Sequence, residues 1–389
     1  MQFWVFKTKV NSQKVELCRQ SSSFRIDYED LLEKNSISIW RALPSFHSEN
    51  WDNENEQRAG SSSSQDSPIV TSTGEKIITE EELIEISEIR PNLSGTLLRS
   101  TVRNLIEDIE KRIDQKEIFE EFLALENREL LDDCILGNNP ENRDKNRYRD
   151  IIPYDRTRVS IGQSQDYINA NYIRISNAGE EFFYIATQAP LPGTTEDFWQ
   201  MVWENKSNVI AMITKEMEDG IIKCHPYWPI SLTKPLGLQN FLVELENTQI
   251  LEAFIIRVFK IVNKTGSVHF VHQIQFMNWP DHGIPTSYEA FVSYIRYMKK
   301  IHETGPIIAH CSAGIGRTGV LLCMDVVLHA LENDLEFDIK TIVTQMRNQR
   351  CGMIQTKEQY QFCYETVIHV LRKIQTSARL DKFSIFQGN

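Results

Sequence analysis

The segment 305–320, GPIIAHCSAGIGRTGV, places a cysteine at the end of a short apolar run, follows it with small residues and glycines, and ends in an arginine. This order reads as a strand, a phosphate-sized loop and the start of a helix. Ser312, Ala313, Gly314, Ile315, Gly316 and Arg317 can curl so that successive backbone N–H groups converge on one oxyanion. Glycine permits that curl. A helix starting near Arg317 would add its unpaired amides and the positive end of its dipole. A thiol so placed can have a pKa of roughly 3.5–7.5 instead of about 8.5, which makes Cys311 a candidate nucleophile at neutral pH. Arg317 offers a planar fork for two phosphate oxygens, and Thr318 a hydroxyl for the sulfur. Taken alone, a CxxxxxR spacing is matched as readily by a buried cysteine in a turn whose arginine forms an ordinary salt bridge.

Attack of a thiolate on phosphorus needs a partner that protonates the leaving group and later activates water. Asp281, in WPDHGIP (279–285), is the candidate, and the flanking proline and glycine imply a loop that moves between defined positions. By composition alone the same residues also form a plain β-turn. KNRYRDI (145–151) reads by itself as a charged surface strand or turn. Gln355 and Gln359, in QTKEQY (355–360), read as exposed amides at a helix start.

Ten consecutive positions, HCSAGIGRTG (310–319), resemble the signature loop of the protein tyrosine phosphatases, non-receptor members included. The resemblance covers about residues 119–372, with WPDHGIP, KNRYRDI, DYINANY (166–172), TQAPL (187–191) and QTKEQY as further motifs. It implies that Asp281 is the general acid, that Tyr148 stacks on the substrate ring and makes the pocket deep, and that Asp150 holds the substrate backbone. Depth selects phosphotyrosine, since phosphoserine is too short to reach the thiolate, and an aromatic wall adds roughly 0.5–1.5 kcal/mol of stacking. The resemblance further implies that Gln355 and Gln359 position the hydrolytic water, that Arg347 and Arg350 brace the phosphate loop or its surroundings, and that Glu218, near Lys223, orients the arginine. His310 either tunes the thiolate or is structural. Ala189 stands where the family usually has glycine, which predicts a strained turn. Cys351 near the pocket rim suggests a redox partner. Two rival readings are a catalytically silent phosphotyrosine-binding module and a dual-specificity or lipid phosphatase.

The elements that must position these residues are legible in outline. Apolar residues recur at helical spacing on both sides of Pro91, as in Leu83, Ile84 and Ile86, then Ile106, Ile109 and Ile113. Ile118, Phe119, Phe122, Leu123 and Leu125 predict a last helix before the catalytic body. Beyond Pro140, β-branched and aromatic runs predict strands over 182–186, 209–214, 254–262 and 268–276. A helix follows over 288–301, then the strand and loop at Cys311, then two or three helices to about Ile374. This order predicts an α/β (α+β) domain with a mixed sheet flanked by helices. The expected organisation is an acidic, serine-containing leader (1–78), a helical lead-in (79–117), a catalytic domain (118–375) and a tail (376–389).

Composition bounds the rest. A formal net charge of −12 argues against nucleic acid or an acidic membrane as a general partner. The 7 cysteines lack CxxC spacing, so neither a zinc site nor a disulfide framework is expected, and the chemistry requires no cofactor. No apolar run reaches membrane-spanning length, and the amino terminus lacks a signal-peptide core. The polar leader, with clusters such as DYED and DNENE, is expected to be largely disordered; Trp4, Trp40 and Trp51 leave room for a docking partner. The stretch EKIITEEELIEISEIRP resembles the leader of a cytoplasmic member of the family, which implies a cytoplasmic monomer with nuclear, microtubule, cytoskeletal and centrosomal associations and phosphotyrosyl proteins as partners.

Overall fold

The computed structural model describes residues 76–87, 99–126, 133–164 and 166–387. The predicted leader up to residue 75 and Pro91 lie outside the described residues. Helices α1 (Glu80–Ser87) and α2 (Arg99–Asp114) form the lead-in, and α3 (Glu117–Glu126) and a single turn, α4 (Ile135–Asn138), follow. The predicted last helix is α3, which buries Ile118, Phe122 and Leu125 on one face.

Strands β1 (Arg158–Ile161), β2 (Asp166–Asn177) and β3 (Glu180–Thr187) lead to helix α5 (Thr195–Glu204). Next come β4 (Val209–Met212), the hairpin of β5 (Met217–Glu218) and β6 (Ile221–Ile222), and a meander of β7 (Leu236–Gly237), β8 (Phe241–Ile250), β9 (Phe254–Asn263) and β10 (Val268–Phe276). Helix α6 (Tyr288–Ile301), strand β11 (Ile307–His310), and helices α7 (Gly316–Glu332), α8 (Ile339–Arg347) and α9 (Lys357–Gln387) complete the domain. Helix α6 keeps its predicted bounds because Ser287 caps it, accepting from Ala290 N, while Phe291, Tyr294, Ile295 and Met298 face the core. Helix α9 continues beyond Ile374 through residues 376–387, which the sequence assigned to a tail.

A nine-stranded mixed sheet runs in the order β1-β2-β3-β11-β4-β10-β9-β8-β7. Strand β11 lies at its heart, parallel to β3 and β4. All four of its residues are buried, and a parallel strand covered on both faces reads as the continuous apolar run seen in the sequence. Register then gathers the site. His310 pairs with Thr187 and with Met212, and Met212 with Gln275 of the parallel β10. The loops leaving β3, β4, β10 and β11 therefore emerge along one edge of the sheet, the carboxyl ends of parallel strands where α/β folds hold ligands. One core layer packs α6, α7 and α9 against the sheet; another packs Phe198, Trp199 and Met201 of α5 against the opposite face.

The predicted strand 209–214 ends at Met212, with Ile213 N donating to His310 O at 2.9 Å as the last rung of the parallel ladder to β11. Strand β8 has no counterpart in the sequence reading. Its FLVELENTQI interrupts the apolar pattern with glutamates, and a register shift between Leu245 and Asn247 breaks the two-residue alternation. Among the described residues, no helix is long and apolar enough to cross a membrane.

Candidate active site

Cys311 leaves β11 into the core of the domain, only 5% exposed, and its sulfur accepts the amide of Gly314 at 3.3 Å. Gly314 has φ +72°, and a Cβ there would stand 2.1 Å from the carbonyl oxygen of Thr187. Both facts require glycine. Gly314→Ala is expected to cost about 1–2 kcal/mol for the left-handed backbone and about 1–3 more for overpacking. Thermal melts and turnover check this; an unchanged melting temperature with full activity would contradict it. The amides of Ser312, Ala313, Ile315, Gly316, Arg317 and Thr318 have no acceptor among the described residues, and α7 begins at Gly316. They form a row of donors at a helix start, as an oxyanion requires.

The loop is held from behind. Arg350, fully buried, donates to Gly314 O at 2.9 Å and Ala313 O at 3.0 Å, and to the side-chain oxygens of Asn171 and Asn169 at 2.8 Å each. Ala189 N donates to Ser312 O at 2.9 Å. Ala189 is not among the residues with positive φ, so the turn expected to be strained by the missing glycine is not. Arg347 braces the surroundings of that loop, donating to Met353 O and Ile354 O, beside Gln355. The expected bond from Thr318 to the sulfur is not made. Its Oγ1 is buried without a hydrogen-bond partner among the described residues, and the sulfur's donor is the Gly314 amide.

Glu218, 4% exposed, grips Arg317 with both oxygens, Oε1 at 2.5 Å from Nη1 and Oε2 at 2.8 Å from Nη2. Its Oε1 also accepts from Thr214 Oγ1 and Lys215 N. A carboxylate so satisfied presents the guanidinium in one plane. Arg317 Nη2 also reaches the carbonyls of Pro280 and Asp281 at 3.3 and 3.4 Å, and its guanidinium lies 5.6 Å over the ring of Trp279. The arginine thus joins the phosphate loop to the acid loop. The acid loop is shaped by Trp279 Nε1 donating to Gly283 O at 3.1 Å.

Asp281 Oδ2 accepts the amide of Asp219 at 2.9 Å, with Lys215 Nζ 4.0 Å from Oδ1. The Asp219 amide first, then the Lys215 and Arg317 charges, hold its carboxyl below the usual carboxylate range. His282 pairs with the Asp219 carboxylate at 2.9 Å. Asp219 was missed by sequence reasoning; the Asp-Gly dipeptide at 219–220 signalled only a tight turn, and nothing local said what the turn would meet.

Tyr148 is half-buried and its hydroxyl lies 2.8 Å from Ser312 Oγ. Ser312 Oγ gives its proton to Lys223 O at 3.0 Å, so Tyr148 is the donor of this pair. Asp150 is exposed. Gln355 is exposed and its amide donates to Oε1 of the buried Gln359 at 3.0 Å. Both glutamines lie against the phosphate loop: a Cβ on Gly316 would meet the Gln359 amide at 3.0 Å and Gln355 Cβ at 3.2 Å.

His310, fully buried, is pushed down to about pH 4 by burial and is neutral. Gln273 Nε2 donates to Tyr227 Oη at 2.7 Å, so the Tyr227 hydroxyl donates onward to His310 Nε2 at 2.8 Å. That leaves the ring proton on Nδ1, donated to Cys311 O at 3.1 Å. Of the sequence alternatives, the structural one describes these bonds: His310 contacts the Cys311 backbone, not its sulfur. Cys351 points its thiol at Ile152 O, 4.0 Å away, and burial pushes that thiol up. Among the described residues, no group of three or more His, Cys, Asp or Glu is arranged to hold a metal.

A buried thiol beneath a row of amides, a forked arginine and a carboxylate on a neighbouring loop can bind a phosphate ester and displace its alcohol. Known proteins agree. The family described as protein-tyrosine phosphatase matches residues 142–369. Human tyrosine-protein phosphatase non-receptor type 20 is 53% identical over 378 residues, 96% of this chain and 89% of that protein. The mouse protein of the same name is 48% identical over 381 residues, 95% of this chain and 89% of its own length. Mouse tyrosine-protein phosphatase non-receptor type 13 is 44% identical over 322 residues, 81% of this chain but 13% of that longer protein. The likeness thus extends through the lead-in as well as the catalytic motifs, and the chain belongs to the protein-tyrosine phosphatase family.

Proposed function

We propose that Cys311, Arg317 and Asp281 remove phosphate from phosphotyrosine in proteins by two displacements. The Cys311 thiolate attacks phosphorus, the P–O bond to the tyrosyl oxygen breaks, and protonated Asp281 gives that oxygen its proton. Water, placed by Gln355 with Gln359 behind it, then attacks phosphorus while Asp281 takes a proton back. The P–S bond breaks and inorganic phosphate leaves. Throughout, Arg317 and the loop amides meet charge on the equatorial oxygens. The observation that carries this reading is the Glu218-fixed Arg317, in contact with the acid-loop backbone through the carbonyls of Pro280 and Asp281. Hydrolysis of para-nitrophenyl phosphate that vanadate blocks is the expected outcome; binding without turnover would sink it.

Specificity is assigned to Tyr148 as the aromatic wall and Asp150 as the group that holds the substrate backbone. Tyr148→Ala is expected to lower kcat/KM for phosphotyrosyl peptides by about tenfold, consistent with a lost aromatic contact of about 0.5–1.5 kcal/mol and a lost loop hydrogen bond. Phosphoseryl peptides stay near background for both forms. Equal rates on the two peptide types would contradict the deep-pocket reading.

The same reading assigns residues 1–78 to a docking or phosphorylation-regulated leader, 79–117 to the lead-in, 118–375 to the catalytic domain and 376–389 to a tail continuing α9. It places the enzyme as a monomer in the cytoplasm, with nuclear, microtubule-, cytoskeleton- and centrosome-associated pools. The likeness to non-receptor phosphatases supports a location inside the cell. Imaging the tagged full chain beside one lacking residues 1–78 tests it, and identical distributions would remove the leader from the account.

A further inference from the structure

The last turn before Gln355 is held in an unusual shape. Ile354, a β-branched residue, has φ +61°, which such residues adopt only where neighbours impose it. Here they do. Ile354 N donates to Ile315 O at 3.1 Å, and Arg347 donates to Met353 O at 3.0 Å and Ile354 O at 2.8 Å. Past the glutamine, Thr356 Oγ1 accepts from Gln359 N at 3.2 Å as α9 begins.

Helix α3, which lies outside the family match at 142–369, touches both ends of this loop. The Arg347 guanidinium sits 5.3 Å over the Phe122 ring, and the same ring packs 5.7 Å from that of Tyr360. Glu121 Oε1 accepts the hydroxyls of Tyr360 and, at 2.6 Å, of Tyr364, while its Oε2 accepts Arg112 Nη2 at 3.0 Å. Burial pushes both phenols far up, so both remain donors. Tyr360 and Tyr364 lie one turn apart on α9, and Tyr360 follows Gln359 directly. Helix α3 therefore fixes the loop on its Arg347 side and on its α9 side.

We propose that Glu121 and Phe122 are positioning residues for the second displacement: by setting where α9 leaves the loop, they hold Gln355 where it places the hydrolytic water. The inference rests on the two-step reading above. Its signature is kinetic. Thiolate attack and loss of the phenol set kcat/KM, whereas hydrolysis of the cysteinyl phosphate enters kcat alone.

Rapid mixing of the full chain with para-nitrophenyl phosphate tests this on wild type, Gln355→Ala, Glu121→Gln and Tyr360→Phe. Glu121→Gln and Tyr360→Phe are expected to lower kcat about fivefold, to lower KM in parallel, to leave kcat/KM within about twofold, and to show a burst of nitrophenol like that of Gln355→Ala. Loss of folded enzyme would instead lower kcat and kcat/KM together. If Gln355→Ala shows the burst while the other two keep wild-type kinetics, or lose kcat and kcat/KM in equal ratio, the inference fails alone. If Gln355→Ala shows neither burst nor slower turnover, the reading of Gln355 fails and the inference falls with it. Tyr360→Phe removes one hydroxyl only, so it keeps the test decisive if Glu121→Gln does not fold.

Discussion

Cys311→Ser is expected to lower kcat by on the order of 10⁴-fold or more while leaving the binding of phosphotyrosyl peptides in place. The size of the effect follows from what surrounds the sulfur. A serine hydroxyl attacks phosphorus only if a base removes its proton, and the adjacent histidine cannot serve. His310 Nδ1 is committed to Cys311 O and Nε2 accepts from Tyr227, so neither nitrogen is free to act as that base. A thiol loses its proton more readily than an alcohol and is the stronger nucleophile, so it does not need such a base. Binding survives because the loop amides and the Glu218-held Arg317 do not depend on the sulfur. Calorimetry with a phosphotyrosyl peptide, beside turnover of para-nitrophenyl phosphate, checks both halves. Hydrolysis within tenfold of wild type would remove Cys311 from the nucleophile's role.

Which parts of this site a sequence reveals depends on whether the physics is local. The strand, loop and helix around Cys311 were legible because a buried parallel strand is an apolar run, and the left-handed turn at residue 314 requires glycine. Helix α6 was legible through the helical spacing of its apolar residues. Strand β8 was not, since glutamates interrupt its apolar pattern and its alternation is broken by a bulge; pairing with β9 and β7 makes it a strand. The roles of Arg347 and Arg350 illustrate the limit at single-residue scale. Both were expected at the phosphate loop or its surroundings without distinction; Arg347, the last residue of α8, turns to the glutamine loop, while Arg350, three positions on in the turn beyond the helix, reaches Ala313 and Gly314. Three positions across a helix end carry a side chain to a neighbouring but distinct target, and a motif does not record which.

Non-local contacts were the least visible. The Gln273–Tyr227–His310 chain joins two strands and a loop, and its direction is set by the single proton of a tyrosine hydroxyl. The Asp219 amide on Asp281 joins loops 62 positions apart. Thr318 was misjudged in the opposite way: nearness in sequence suggested a bond to the sulfur, but the hydroxyl is buried without a partner among the described residues.

The contact between Asp219 and Asp281 decides the second large effect. Asp281→Ala is expected to lower kcat by about 10²–10⁴-fold, the usual contribution of a positioned acid, and to leave phosphotyrosyl protein bound to an enzyme that scarcely turns over. The pH dependence separates an acid from a merely structural carboxylate. In the observed arrangement the Asp219 amide, Lys215 and Arg317 hold the Asp281 carboxyl below its ordinary value, so its protonated form is the minor one at neutral pH. An acid that must be protonated to act then becomes scarcer as pH rises, and kcat/KM falls about tenfold per unit on the basic side. The optimum of the wild type therefore lies on the acid side of neutrality. Alanine removes the titrating group, so the variant's kcat/KM is low but flat over the range where the wild type declines. Paired measurements between weakly acidic and weakly basic pH read this directly. A variant that keeps the wild-type decline would mean that the leaving tyrosyl oxygen takes its proton from another group, and Asp281 would then be reduced to holding the acid loop against the Asp219 turn.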